Sequence, residues 1–181
     1  LSNFYKTPEE RKHLMAKTGS LRILGIDPGS RVTGYGVITK KSNRLYYVCC
    51  GVIRLGEKYV FSDRLKIIFD SLCEIIETHK PTVAAVEDVF VAANPRTALK
   101  LGHARGVAVL AALHYGLKVY DYTPRLVKQA VVGYGNADKQ QMQQMVRVLL
   151  QLSALPSADA ADALAVAMCH ANQTIVEENL V

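Results

Sequence analysis

The stretch Leu21–Thr39 reads LRILGIDPGSRVTGYGVIT. Its first part, Leu21–Ile26, is a short apolar run halted by the turn signal Asp27-Pro28-Gly29, so it reads as a buried strand. Val32–Thr39 resumes in β-favouring residues, and Leu45–Ile53 is again rich in Val, Ile and Tyr. The polar residues Lys40–Arg44 join these two as a hairpin does. Three adjacent strands therefore open the domain.

The period then changes. Leu65, Ile68, Phe69, Leu72, Ile75 and Ile76 follow helical spacing, with Ser62 as an N-cap and an end near His79, before Pro81. Val83–Glu87 (VAAVE) is a second buried strand, and Ala98–Tyr115 is an Ala- and Leu-rich helix closed by Gly116. Lys118–Tyr122 is a further strand. Thr123-Pro124 starts a helix that stops at Gly133, Asn136 caps another through Leu150, and Ser157 caps the last, through about Ala171. A meander followed by alternating helices and strands predicts an α/β fold, a mixed five-stranded sheet flanked by helices. That element order is shared with the ribonuclease H-like fold.

The chain has 181 residues, 50% of them apolar and 21% charged, which excludes a disordered or fibrous protein. No apolar run approaches the ~20 residues of a membrane-spanning helix. Residues 1–20 lack the apolar stretch of a signal peptide and read as an N-terminal extension, disordered or foreign to the natural chain, with Met15 a possible natural start. Residues 21–172 form the expected domain and 173–181 a tail. The four cysteines form no CxxC pair, so a reducing, cytoplasmic setting is expected.

The formal charge of +6 is unevenly placed. Eight basic residues lie between Arg96 and Arg147 against only Asp121 and Asp138, and the rest of the chain is neutral. A localised basic half suits a phosphate-rich partner, although a solvated surface accounts for charge alone equally well.

Acids occupy unexpected positions. Asp27 closes the first strand and Glu87 closes VAAVE, while Asp159 and Asp162 share one face of the last helix. Charges at the ends of buried strands are costly unless paired or metal-bound. Taken singly, Asp27 suits a turn, and Asp159 and Asp162 suit the first turn of a helix. Taken together, converging carboxylates suit Mg²⁺, which takes oxygen ligands and works beside phosphates. Two such ions about 3.5–4 Å apart assist phosphodiester hydrolysis.

Five segments carry a more specific signal: Leu24–Ile38 (LGIDPGSRVTGYGVI), Val86–Phe90 (VEDVF), Asn94–Val109 (NPRTALKLGHARGVAV), Val127–Gly135 (VKQAVVGYG) and Ala158–Ala167 (ADAADALAVA). In this order they closely resemble the RuvC family, the bacterial Holliday junction resolvases. The resemblance implies a ribonuclease H-like nuclease domain, a homodimer, and paired symmetric nicks across a four-way DNA junction in recombination and repair. It implies Mg²⁺ as cofactor, two ions per site with Mn²⁺ as a substitute, and the RuvA–RuvB branch-migration machinery as partner. By motif position the catalytic, metal-binding carboxylates fall on Asp27, Glu87, Asp159 and Asp162. The junction-contacting aromatic falls on Phe90 and the DNA-binding lysines on Lys128 and Lys139, and Arg96, Lys100 and Arg105 are further candidates for phosphate contact.

Three points stay open in the sequence. Asp88 adds an acid beside Glu87, either tuning metal affinity or facing outward. Ala104, Ala108, Ala111 and Ala112 suit a close dimer seam or an ordinary core helix. Each histidine, His170 included, is expected on a helix surface or in a capping role. Two other functions compete: a non-catalytic junction-binding module of the same fold, and an actin- or sugar-kinase-like ATPase suggested by Gly25–Ser30. The latter needs a second nucleotide-binding half, for which 181 residues leave little room.

Overall fold

The structure, a computed structural model, describes residues 20–56, 58–89 and 94–178. Its strands are β1 (Ser20–Asp27), β2 (Val32–Lys41), β3 (Arg44–Arg54), β4 (Val83–Glu87) and β5 (Lys118–Tyr122). Its helices are α1 (Phe61–His79), α2 (Pro95–His114), α3 (Pro124–Val132), α4 (Lys139–Leu149) and α5 (Ala158–Glu178). The strands lie in the order β3-β2-β1-β4-β5, with antiparallel β3-β2-β1 pairs and parallel β1-β4-β5 pairs. This is the mixed sheet that the sequence pattern predicts.

Strand alternation sorts the core into two layers. Ile23, Ile38, Val83 and Ala85 face α3, α4 and α5, where they meet Val127, Val131, Met142, Val146 and Leu164. Their neighbours Leu24, Ile26, Val37, Ala84 and Val86 face α1 and α2, against Ile68, Leu72, Ile76 and Ala108. Because β1 and β4 are covered on both faces, their sequences read as continuous apolar runs instead of alternating ones.

Several helix ends differ from expectation. The cap of α1 is Val60, which makes no side-chain cap bond, so Ser62 lies inside the helix. Helix α2 begins at Pro95, before Ala98, because the Asn94 side chain accepts from the backbone N–H groups of Arg96 and Thr97. Asp138, not Asn136, caps α4, through a reciprocal capping box with Gln141. Helix α5 continues past Ala171 to Glu178, into the stretch read as a tail.

The structure also decides one open point and corrects one side-chain expectation. Ala104, Ala108, Ala111 and Ala112 are fully buried in the chain's own core, where small side chains let α2 approach the sheet; they form no outward seam. The exposed face of α2 instead carries Leu99, Leu110 and Leu113. His170 is buried, with a ring nitrogen 2.7 Å from the Tyr122 hydroxyl and its ring 4.4 Å from that of Tyr120. Burial, reinforced by Lys40 and Lys118, lowers its pKa to about 4, so it stays neutral at pH 7.

Candidate active site

Strands β1 and β4 run parallel, with Ile26 opposite Val86, so the next residue on each brings Asp27 beside Glu87. The two carboxyl groups act directly on each other, Glu87 holding its proton more tightly and Asp27 less tightly for the other's presence. The turn after Asp27 is fixed from within. Buried Thr33 donates its hydroxyl to the Gly29 carbonyl at 3.0 Å and accepts from the Gly29 N–H at 3.3 Å.

Bare backbone delivers the other two acids. Gly34 stands opposite Asp27 on β2, and a Cβ there would overlap the main-chain carbonyl of Asp159. A Cβ at Gly25 would overlap the Ala163 carbonyl and lie 2.8 Å from the Ala167 nitrogen; one at Gly36 would press on Leu164 at 2.7 Å. Helix α5 thus rests directly on β1 and β2, with Ala160, Ala161 and Ala163 in its first turns all buried. The first two turns, carrying Asp159 and Asp162, are held over the end of β1. Glycine inside a strand commonly marks such close approach.

The four carboxylates feel one another. Burial first, then the Asp162 charge, raises the Asp27 pKa from 3.8 to about 6, and Asp159 adds to the rise. Burial, followed by Asp27, raises Glu87 from 4.5 to about 8, with Asp162 contributing. Asp162 is also raised, chiefly by burial. Lys139 at the start of α4 counters the rise at Asp27 and Asp162, and Lys128 on α3 does so at Glu87 and Asp162.

Among the described residues, no group of three or more Asp, Glu, His or Cys side chains is already drawn together tightly enough to hold a metal ion. The donor set nevertheless fits a hard divalent cation: all-oxygen, largely buried and mutually repelling, with the repulsion only partly offset by the two lysines.

The sequence profile of the family described as Crossover junction endodeoxyribonuclease RuvC matches residues 23–170. The chain belongs to the RuvC family. Crossover junction endodeoxyribonuclease RuvC of Geobacter metallireducens is 56% identical over 152 residues, covering 84% of this chain and 93% of the relative. That of Geobacter sulfurreducens is 52% identical over 160 residues, covering 88% and 98%. Among solved structures, Thermus thermophilus RuvC in complex with Holliday junction substrate superposes with a TM-score of 0.80 at 33% identity, covering 87% of this chain and 96% of the other. The fold is therefore ribonuclease H-like.

Within this RuvC domain the basic candidates take different surroundings. Lys128 and Lys139 lie near enough to the carboxylates to act on them electrostatically. Arg96 is exposed in the first turn of α2, and the Lys100 ammonium lies 5.7 Å from the Phe61 ring centre. Arg105 is engaged elsewhere: its Nη2 donates to Asp121 Oδ1 at 2.6 Å, and its Nε lies 3.5 Å from Asp88 Oδ1. Asp88 therefore faces outward, tied to α2, and its backbone N–H extends the β4–β5 ladder to the Tyr122 carbonyl at 2.8 Å. Phe90 lies outside the described residues. Sequence reasoning missed the docking roles of Gly25, Gly34 and Gly36; the signal available was three glycines inside two predicted strands.

Proposed function

We propose that this chain resolves four-way DNA junctions by paired, symmetric, metal-assisted nicks, with Asp27, Glu87, Asp159 and Asp162 as the metal-holding carboxylates. The observation that carries the reading is the electrostatic coupling of these acids at the ends of two parallel strands, with Lys128 and Lys139 alongside. Mg²⁺ or Mn²⁺, two ions per site, would supply an activated water and charge neutralisation at the scissile phosphate. Asp27, which interacts with all three of the other acids, would hold the metal together with Glu87, Asp159 and Asp162. Lys128 and Lys139 bind backbone phosphates and orient the strand. Glu87, protonated when the site is metal-free, releases its proton when its carboxylate takes up a cation.

Paired nicks need two sites, and we assign the dimer face to the exposed side of α2. Leu99 and Leu110 border an apolar hollow there of about 820 Å³, together with Leu65, Gly102, Gly106 and Val107. Phe90, three residues beyond Glu87, is assigned to stacking on a base freed at the junction centre, and Arg96 and Lys100 to the DNA arms. Four free thiols suit a cytoplasmic setting, and RuvA–RuvB is the expected branch-migration partner.

The test offers a synthetic four-way junction and a linear duplex of matched sequence, each with Mg²⁺ or EDTA. Symmetric nicks on the junction alone, and only with Mg²⁺, are the expected result. Junction affinity without product would favour a binding module, and nicking of the linear duplex at equal rate would refute junction specificity.

A further inference from the structure

At the end of the sheet remote from the carboxylates, the β2–β3 hairpin, α3, α5 and the segment after α4 enclose a groove of about 1330 Å³. Lys40 lies opposite Leu21 on β1, six residues before Asp27, which at about 3.3 Å per residue places the Lys40 end of the groove roughly 20 Å from Asp27. Its apolar wall includes Leu45, Leu152, Leu155 and Met168, and Tyr46 and Leu155 are exposed at its rim.

The groove is one-sided in charge. Its lining includes Lys40 and Arg44, and no Asp or Glu among the described residues. The Lys40 side chain forms no hydrogen bond or ion pair among the described residues, and although the residue is only 8% exposed, its ammonium keeps contact with solvent in the groove. A lysine set in a protein wall buries its alkyl stem while keeping its charge in water, which leaves the ammonium open to a counter-charge. The Lys40 ammonium, beside Arg44 and with no acid in the lining, is thus available to a carboxylate arriving from outside.

We propose that this groove binds an acidic, apolar segment of a protein partner, with a Glu or Asp on Lys40 and Arg44 and aliphatic or aromatic side chains on the leucine wall. DNA is a poorer fit, since a phosphate backbone gains nothing from Leu45, Leu152 and Leu155 and the groove lies away from the lysines that flank the carboxylates. The volume exceeds the roughly 300–1,000 Å³ of a small-molecule site and accommodates several peptide residues. Occupation there leaves the carboxylates accessible, so partner and junction can be held together.

The full chain, immobilised, is panned against a random 12-residue phage library, and an enriched sequence is made as a fluorescent peptide. Enrichment of Asp or Glu beside Leu, Ile or Phe is expected, and Lys40→Met should weaken the peptide by at least tenfold. Junction nicking by Lys40→Met should stay at the wild-type rate, with thermal stability unchanged or higher. Arg44→Ala, at an exposed position, repeats the binding test without disturbing the core. Failure to enrich any sequence, enrichment of basic or uncharged peptides, or equal peptide affinity in both variants overturns the proposal. So does a loss of junction affinity in either variant, which would make the groove part of the DNA surface.

Discussion

Removing one charge from the carboxylate cluster should stabilise the metal-free protein while destroying its activity. Asp27→Asn is the cleanest case, because the amide keeps the size of the side chain. Burial and the neighbouring acids lift Asp27 from 3.8 to about 6. At about 1.4 kcal/mol per pKa unit, the ionised group is held against its surroundings by roughly 3 kcal/mol. Allowing for residual solvent and for shared protons within the pair, about 2 kcal/mol should be recovered by the variant. For a chain of this size that corresponds to roughly 4–8 °C in melting temperature.

The sign and the pH window follow from linkage. A carboxyl group with a raised folded pKa binds more protons in the folded chain than in the unfolded one, so stability falls as pH rises between the two values. Below pH about 4 Asp27 is protonated in both states, and wild type and Asp27→Asn should melt alike. The gap should open as pH rises above about 4 and be complete above about 6, where the folded carboxyl has also ionised. Glu87 extends the decline of the wild type toward about 8. The assay is urea or thermal unfolding in EDTA at several pH values, repeated in millimolar Mg²⁺, which should raise wild-type stability through preferential binding to the folded state. An Asp27→Asn protein that folds, but is no more stable than wild type at pH 8 in EDTA, would refute the picture of crowded buried charge. Retained nicking by that variant would refute its catalytic role.

Further outcomes are as specific. Gly34→Ala forces its methyl group into the Asp159 carbonyl and should displace the first turn of α5, cutting single-turnover nicking by about 100-fold while junction binding persists. Arg105→Gln should slow nicking more than it weakens binding, because its guanidinium ties α2 to Asp88 and Asp121; a shallower salt slope of binding, by about one, would instead mark it as a phosphate contact. Leu110→Glu should convert dimer to monomer by sedimentation and uncouple the two nicks, while an unchanged dimer would move the seam elsewhere. If about six phosphates are neutralised, log K should fall against log salt with a slope near −5.

Much of the fold was legible because its signals are local. The stop at Asp27-Pro28-Gly29, the Thr123-Pro124 cap and Gly133 with φ 92 each act within a few residues. The misplaced helix starts were local too, but several residues competed for the same role. Asn136 and Asp138 can each cap a helix, and only Asp138 has Gln141 three residues on to close the box. The facing of α2 was not local. Its alanines suit an outward seam or an inward core equally, and the choice is made by β4, whose Ala84 and Val86 present a flat surface on which only small residues let the helix settle.

The site divides along the same line. Asp27 and Glu87 were visible as candidates, since an acid ending a buried apolar run is costly wherever the strands go, but Asp27 alone suited a turn equally well. The partition of the cations was invisible, because Lys139 and Arg105 are both basic residues in the same positive half of the sequence. Lys139 meets carboxylates that lack partners because the capping box of Asp138 sets it at the start of α4, near α5. Arg105 meets carboxylates that neutralise it because the register of β4 and β5 sets Asp88 and Asp121 within its reach. The net charge of a segment therefore overstates its phosphate-binding capacity by whatever its own fold consumes. Here Arg105 is consumed in holding the end of β4, and hence Glu87, in place.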